Sequence, residues 1–253
     1  MVVVSYFFNY MGQLDLSIII PAYNEENRIK NTLLSIRDFV EESGLRVEII
    51  VVDDGSTDEM VEVVEHQIKK IPYLRLVRLA VNRGKGHAVK VGVQEAKGDL
   101  ILFTDADNST PIEECLNLMK IMNDAGAQIV IGSRYLRKNS VKIRQSRTRV
   151  LLGRIGNLMI RVFLVSGIRD TQCGFKLFKG EVAKNIFAAL RIERWGFDME
   201  ILAIAKLRNY KIVEVPVNWF NSSESRLRPV RDAVKTFGEL LRIKLNLVMG
   251  RYR

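Results

Sequence analysis

Short apolar runs alternate with amphipathic stretches along the first half of the chain. The runs are rich in Val, Ile, Leu and Phe, a composition typical of buried strands, and they lie at residues 16–20, 47–52, 74–79 and 100–103. Between them, apolar residues recur at a helical spacing, as at Ile29, Leu33 and Ile36. This β-α-β alternation predicts a doubly wound, mainly parallel α/β sheet with helices on its faces.

The same alternation of strand-like and helical patterns continues for one more helix and strand, and then the amino-acid composition changes. Residues 137–161 contain many Lys and Arg and no acidic residue, interleaved with Leu, Val, Ile and Met. The tail from residue 230 to 249 has apolar residues such as Phe237 and Leu241 on one helical face and basic residues on the other. We therefore expect a main domain at 16–225 and a basic amphipathic helical extension at 226–253. The extension is either part of that domain or an element of a membrane surface.

Polar residues directly follow several of the predicted strands. They are the stretch from Pro21 to Glu25, Asp53 with Asp54, Lys85 between two glycines, and Asp105 with Asp107. The carboxyl ends of parallel strands form the edge where open α/β sheets bind ligands. An isolated Asp-x-Asp is more often a simple turn, so the convergence of these strand ends, and not the motif alone, favours a binding site. Two hard carboxylates suit Mg²⁺ or Mn²⁺ shared with substrate phosphates, and together these groups favour a nucleoside-diphosphate site.

Composition narrows the possible partners. The net charge of +10 in 253 residues indicates a polyanionic partner, which is a nucleic acid, an anionic membrane surface or a phosphorylated substrate. With His66 and His87 as the only histidines, a histidine metal site or a Ser-His-Asp triad is disfavoured. Cys115 and Cys173 lack metal-binding spacing, and two cysteines do not make a disulfide framework, so a reducing compartment is expected. We expect no membrane-spanning segment, because no apolar run is long enough.

Four motifs in order resemble a known family. They are Pro-Ala-Tyr-Asn-Glu at 21–25, Val-Val-Asp-Asp-Gly-Ser-Thr-Asp at 51–58, Asn-Arg-Gly-Lys-Gly at 82–86 and Thr-Asp-Ala-Asp at 104–107. This set resembles the inverting nucleotide-sugar transferases of glycosyltransferase family 2, which have the GT-A fold. Later stretches are similar to dolichyl-phosphate β-glucosyltransferases, and they lie at 167–178, 193–200, 217–219 and 225–227. Dolichyl-phosphate mannosyltransferases share the general pattern.

The resemblance implies roles for individual residues. It assigns nucleotide binding to Pro21, Ala22, Tyr23, Glu25, Asp53, Asp54, Lys85 and Asp105. Asp54 would meet the uracil edge, with Asp53 supporting it. Asp107, with Asp105, would bind Mg²⁺ or Mn²⁺ on the diphosphate. Arg134 and Arg226 would be cationic clamps on the diphosphate and on the acceptor phosphate. We expect Asp170 to be structural, and Trp195 and Trp219 to be packing residues.

The implied reaction transfers glucose from UDP-glucose to dolichyl or another polyprenyl phosphate. Because a phosphate oxygen is already anionic, catalysis would need positioning and charge stabilisation more than a general base. The basic 137–161 segment and the tail suit a protein bound peripherally to the cytoplasmic face of a membrane with anionic lipid.

Three alternatives remain open at this point. The donor could be GDP-mannose, and the site could bind a sugar nucleotide without turnover. The charge also permits a nucleic-acid-binding module, although the basic residues lie beside Leu, Val and Met and not beside stacking aromatics, so we expect no nucleic acid partner.

Overall fold

The computed structural model describes residues 14–136, 160, 162–220 and 229–252, with the side chains of 229–234 left out. Its strands form one seven-stranded sheet in the order β3-β2-β1-β4-β6-β5-β7. Their bounds are β1 (Leu16–Ala22), β2 (Val47–Asp53), β3 (Leu74–Arg78), β4 (Leu100–Phe103), β5 (Ile129–Ser133), β6 (Lys176–Lys179) and β7 (Ile212–Pro216). The four apolar runs of the first half are therefore β1 to β4, as predicted.

Most neighbouring strands are parallel. β1 lies between β2 and β4 with Leu16 opposite both Val47 and Leu100, while β3 and β7 extend the sheet in parallel with β2 and β5. The exception is β6, which is antiparallel to both of its neighbours, β4 and β5. The prediction of a mainly parallel α/β sheet is confirmed. The reversed strand was not predicted, because periodicity along a run does not carry its direction in the sheet.

Two helical layers cover the sheet. The helices are α1 (Ile29–Ser43), α2 (Met60–Ile68), α3 (Lys85–Glu95), α4 (Glu114–Asp124), α5 (Gly180–Ala189), α6 (Phe197–Leu207) and α7 (Pro229–Val248). Buried residues of α1, α2 and α4 share one core with Ile18 and Ile20 of β1, whereas those of α3, α5, α6 and α7 share the other core with Ile19. Successive side chains of β1 thus enter opposite cores, which explains why three consecutive isoleucines follow Ser17 in this strand.

From residue 235 on, where its side chains are described, the C-terminal helix α7 packs on the domain through one side. Leu240 and Ile243 are buried in the same core as α3 and α6, and the hydroxyl of Tyr252 donates to Glu200 at 2.5 Å. Three described members of the apolar face predicted for the tail are exposed, and they are Phe237, Leu241 and Val248. The tail therefore has one apolar side that is buried in the core and a second apolar side that is exposed. The sequence pattern predicted the exposed side.

None of the helices in the described ranges is both long enough and apolar enough to cross a membrane. The two cysteines are buried free thiols, and burial raises the pKa of each to about 12.

Candidate active site

The carboxyl ends of β1, β2 and β4 meet the first turn of α3 at one edge of the sheet. The structure therefore brings together the ends of β1 at Ala22, of β2 at Asp53 and of β4 just before Asp105, with Lys85 at the start of α3. These are the strand ends that the sequence predicted to converge.

Asp53 and Asp54 hold the loops that form the edge. Both carboxylates are almost fully buried. Asp54 accepts hydrogen bonds from the backbone N–H groups of Arg83 at 2.9 Å and Gly84 at 2.7 Å. Asp53 accepts one from the backbone N–H of Ser56 at 2.8 Å. These contacts fix the Asn-Arg-Gly-Lys-Gly loop to the end of β2, and the predicted contact of Asp54 with a base stays a prediction.

Gly84 shows why that loop needs glycine. Its φ is +114°, which is strained for any residue with a side chain. A Cβ at this position would also lie 2.7 Å from the carbonyl oxygen of Glu193. The loop is therefore packed directly against the backbone that precedes α6, and this close approach sets where Lys85 begins its helix.

Lys85 forms an ion pair with Asp105 in the middle of the edge. Burial lowers the pKa of Lys85, but the carboxylates of Asp105 and Asp198 outweigh burial and raise that pKa above its ordinary value. The ammonium group also lies 5.8 Å from the ring centroids of Trp195 and Phe197. Lys85 is thus a protonated cation beside two aromatic rings, in a position to donate to an anionic ligand.

Asp107 lies at the same edge, and its carboxylate is held by one backbone contact. Its Oδ1 accepts from the backbone N–H of Ser109 at 3.0 Å, and its Oδ2 lies 3.8 Å from Arg28, which pairs with Glu25 at 2.6 Å. Burial and the neighbouring Asp105 carboxylate raise the pKa of Asp107. A cation bound here would relieve the repulsion between the two carboxylates.

The donor set fits a divalent metal that shares its coordination with a substrate. In the described residues, no group of three or more His, Cys, Asp or Glu side chains is placed to hold a metal ion without help. Asp105 and Asp107 supply carboxylate oxygens, which Mg²⁺ and Mn²⁺ prefer, and both side chains remain partly exposed. Phosphate oxygens and water would have to complete such a site.

The other predicted nucleotide-binding residues come from the end of β1. Pro21 and Ala22 are buried, while the ring of Tyr23 is exposed beside them. Glu25 is engaged with Arg28, as described above. Tyr23 is therefore the aromatic residue of this stretch, and part of its side chain reaches solvent.

Arg134 is tied into the protein by Asp170. Its Nε and Nη2 donate to the two Asp170 oxygens at 2.8 and 2.9 Å, and the Arg134 backbone N–H donates to the same carboxylate. Burial would raise the pKa of Asp170, but the guanidinium outweighs burial and lowers it. The structural role expected for Asp170 is confirmed. Arg134 lies 5.6 Å from the Trp219 ring, and its role as a phosphate clamp stays a prediction. Arg226 lies outside the described residues.

Sequence reasoning missed three features of this edge. Gly174 approaches Asp105 so closely that a Cβ would lie 2.1 Å from its Oδ2. Lys176, fully buried, pairs with Asp198 and donates to the carbonyl of Cys173 at 2.5 Å. The motif that contains Gly174 and Lys176 was visible, but their partners Asp105 and Asp198 lie far away along the chain. Trp195 is 53% exposed, so the expectation that it is a packing residue is wrong.

The similarity of this chain to known proteins is consistent with a nucleotide-sugar site at this edge. The model of glycosyl transferase family 2 matches residues 17–187. A dolichyl-phosphate beta-glucosyltransferase from Dictyostelium discoideum is 38% identical over 96% of this chain and 77% of its own length. The human protein of that name is 37% identical over 94% of this chain and 77% of its own length.

Solved structures show the same fold. Glucosyl-3-phosphoglycerate synthase from Mycobacterium tuberculosis, in complex with Mn²⁺, UDP and glucosyl-3-phosphoglycerate, has a TM-score of 0.65 and 22% identity over 91% of this chain and 80% of that one. The same enzyme with Mg²⁺ and UDP gives a TM-score of 0.66 at 20% identity, covering 91% of this chain and 79% of that one. The GT-A fold predicted from the sequence is confirmed by these neighbours.

Proposed function

The chain belongs to glycosyltransferase family 2, and on that premise we propose that it transfers glucose from UDP-glucose to dolichyl phosphate. The observation that carries the choice of sugar and acceptor is its similarity, over nearly all of its length, to relatives named for that reaction. The convergence of Asp105, Asp107 and Lys85 at the sheet edge supports a nucleotide-sugar donor independently.

In the proposed reaction, a phosphate oxygen of the acceptor attacks the anomeric carbon of glucose. The new C–O bond forms as the bond to UDP breaks, so the configuration inverts and UDP leaves as an anion. The acceptor oxygen carries its charge at neutral pH, so no side chain has to remove a proton from it. This fits a site whose described charged groups are the carboxylates Asp105 and Asp107 and the cation Lys85.

The protein's own groups would act by position and charge. Tyr23, partly exposed at the end of β1, would pack against the base, and Lys85 can donate to the donor diphosphate from its place beside Asp105. Asp54 keeps the Lys85 loop in register with β2 through two N–H contacts. Such fixed groups lower the barrier because they need little reorganisation when charge develops on the leaving group.

We include Mg²⁺ or Mn²⁺ in the proposal. Asp107, with Asp105, would hold the ion, and the bound ion would supply Lewis-acid stabilisation of the departing diphosphate. The raised pKa of Asp107 and its partial exposure support this assignment, as do the Mn²⁺ and Mg²⁺ complexes of the structural neighbour.

We also propose that the protein works peripherally at the cytoplasmic face of a membrane. The acceptor is a lipid, so its phosphate lies at a membrane surface. The net charge of +10 supports attraction to anionic lipid over attraction to a neutral surface.

The experiment that tests the reaction uses purified protein, polyprenyl phosphate, Mn²⁺ or Mg²⁺, and radiolabelled UDP-glucose or GDP-mannose in parallel reactions. We expect label to enter the lipid phase from UDP-glucose only, and to be lost when a chelator is added. Label from GDP-mannose alone would refute the proposed sugar. Transfer that persists in chelator would refute the metal.

A further inference from the structure

A cavity of about 320 Å³ lies between α3, the loop after α5, and α7. Its charged lining is mostly basic and consists of Arg83, Lys90, Arg191, Arg242, Arg251 and Glu193. Asp105 and Asp107 do not line it, so this concavity is separate from the candidate metal site. The cavity has no role in the reaction proposed above.

The basic groups of this cavity are held in place mainly by neutral partners. Lys90 donates to the carbonyl of Leu190 at 2.9 Å, Arg191 to the carbonyl of Arg251 at 3.3 Å, and Arg251 to the Asn246 side chain at 3.1 Å. These bonds orient the cations without neutralising them. The lining thus presents preorganised donors, which is what an anion site requires.

One carboxylate in the lining opposes five cations. Glu193 pairs with Arg83, which leaves an excess of four positive charges. Glu200 lies behind the lining, where its carboxylate accepts from the backbone N–H groups of Arg191 and Ile192 and from Tyr252. His87 adds little charge, because burial and Arg83 lower its pKa. Arg242 forms no salt bridge within 4.0 Å in the described part of the chain, although the Glu200 carboxylate interacts with it electrostatically from behind the lining.

An exposed apolar stripe borders the cavity on α7. We define this α7 stripe as Phe237, Leu241, Leu245 and Val248 together with Met249, which directly follows the helix, and their exposed fractions run from 44% to 76%. Its residues recur at helical spacing and so share one side of the helix. Arg242 and Asn246, which line the cavity, each follow a stripe residue directly in sequence. The apolar and cationic surfaces are therefore adjacent.

We propose that this cavity binds the phosphate of an anionic phospholipid headgroup while the α7 stripe enters the membrane interface. Guanidinium and ammonium groups recognise phosphate, and an exposed apolar row beside them needs an apolar partner. An anionic lipid surface offers both chemistries at that spacing, whereas a soluble phosphate offers only one. The inference rests on the membrane location in the proposed function, but not on the donor, the acceptor or the metal.

The test measures sedimentation of the full chain with vesicles of phosphatidylcholine, with or without phosphatidylserine. We expect binding to require phosphatidylserine. Arg242→Gln should weaken it about fivefold and Arg242→Glu about thirtyfold, since each basic charge near an anionic surface contributes about a factor of five. The matched control is Lys120→Gln, because Lys120 is exposed on α4 in the opposite helical layer and should have no effect.

Two further measurements make the result decisive. Leu241→Ser with Leu245→Ser should also reduce vesicle binding, because these changes remove the apolar half of the surface without altering charge. Inorganic phosphate is the soluble probe, and if it binds in an Arg242-dependent manner while vesicles do not, the lipid assignment is overturned. Equal binding of the Arg242→Gln and Lys120→Gln variants would overturn it as well.

Failure here can be separated from failure of the proposed function. Asp105, Asp107 and Lys85 do not line the cavity to which Arg242 belongs, so Arg242 variants should bind UDP with Mn²⁺ as the unaltered protein does. Normal UDP binding with unchanged vesicle binding would reject the headgroup site alone. Loss of UDP binding in the unaltered protein would reject the donor site alone.

Discussion

Two lysine–aspartate pairs lie near the carboxyl edge of the sheet, and they differ in their access to solvent. The side chains of Lys176 and Asp198 are 0% and 4% exposed, whereas those of Lys85 and Asp105 are 16% and 38% exposed. The pairs interact, because Asp198 helps to raise the pKa of Lys85. The same two residue types therefore form a closed pair and an open pair within one site.

The difference in exposure indicates that the buried pair supports the backbone of the site and that the exposed pair takes part in binding the substrate. A buried ion pair cannot release one partner without leaving an unpaired charge in the core. Lys176 also holds the carbonyl of Cys173, and the next residue, Gly174, lies against Asp105. The closed pair thus fixes the backbone behind the open pair. The open pair can exchange partners when an anionic donor and a cation arrive.

The largest effect should come from breaking the closed pair. Lys176→Met leaves Asp198 buried without its cation, so we expect the free energy of unfolding to fall by about 3–5 kcal/mol. Urea denaturation measures this. Lys179→Met, at the exposed end of the same strand, is the matched control and should change it little. A loss from Lys176→Met no larger than in the control would contradict the closed-pair interpretation.

Near the open Lys85–Asp105 pair, Asp107→Ala should lower the rate of glucose transfer without changing the free energy of unfolding. We expect transfer of glucose to fall about 100–1000-fold, the range seen when one fixed electrostatic group is removed from an active site. The residue is partly exposed, so its urea midpoint should stay the same. Asp124→Ala, exposed at the end of α4, is the control. Full activity of Asp107→Ala would remove this carboxylate from the site.

Gly174→Ala tests the connection between the two pairs. The new methyl group would meet the Asp105 carboxylate and displace it, so we expect Mn²⁺-dependent UDP affinity to fall about tenfold, in keeping with the ~1–3 kcal/mol cost of overpacking. Calorimetric titration measures the affinity. Gly238→Ala has open space around its Cβ and should leave the affinity unchanged. Equal affinities in the two variants would show that Asp105 is not positioned by this contact.

The smallest effect is the pH dependence of metal binding. Burial and Asp105 raise the pKa of Asp107, and a proton on this carboxyl competes with the metal. Affinity for Mn²⁺ with UDP should therefore fall as pH drops through that raised pKa, beginning at a higher pH than an ordinary Asp would give. Asp105→Asn removes one cause and should move the fall to lower pH. An unshifted profile in Asp105→Asn would contradict coupling between the carboxylates.

The open pair was partly predictable, and the closed pair was not. Asp105 and Lys85 each follow a strand-like run, so the rule that parallel strands end at one edge was enough to bring them together. Lys176 and Asp198 lie on the reversed strand β6 and on α6, and their contact depends on how β6 enters the sheet. The residues around a charged side chain in an apolar run do not indicate which distant residue pairs with it.

The sequence by itself determined the strand–helix alternation, the residues that end β1, β2 and β4, and the motifs of the family. These are local properties, because neighbouring residues in the sequence determine whether a strand is buried and where a turn forms. Only the tertiary structure decided the direction of β6, the close contact of Gly174 with Asp105, and which side of α7 faces the core. Those depend on the packing of segments far apart in sequence, where an apolar residue such as Leu240 or Leu241 can be buried or exposed according to what lies beside it.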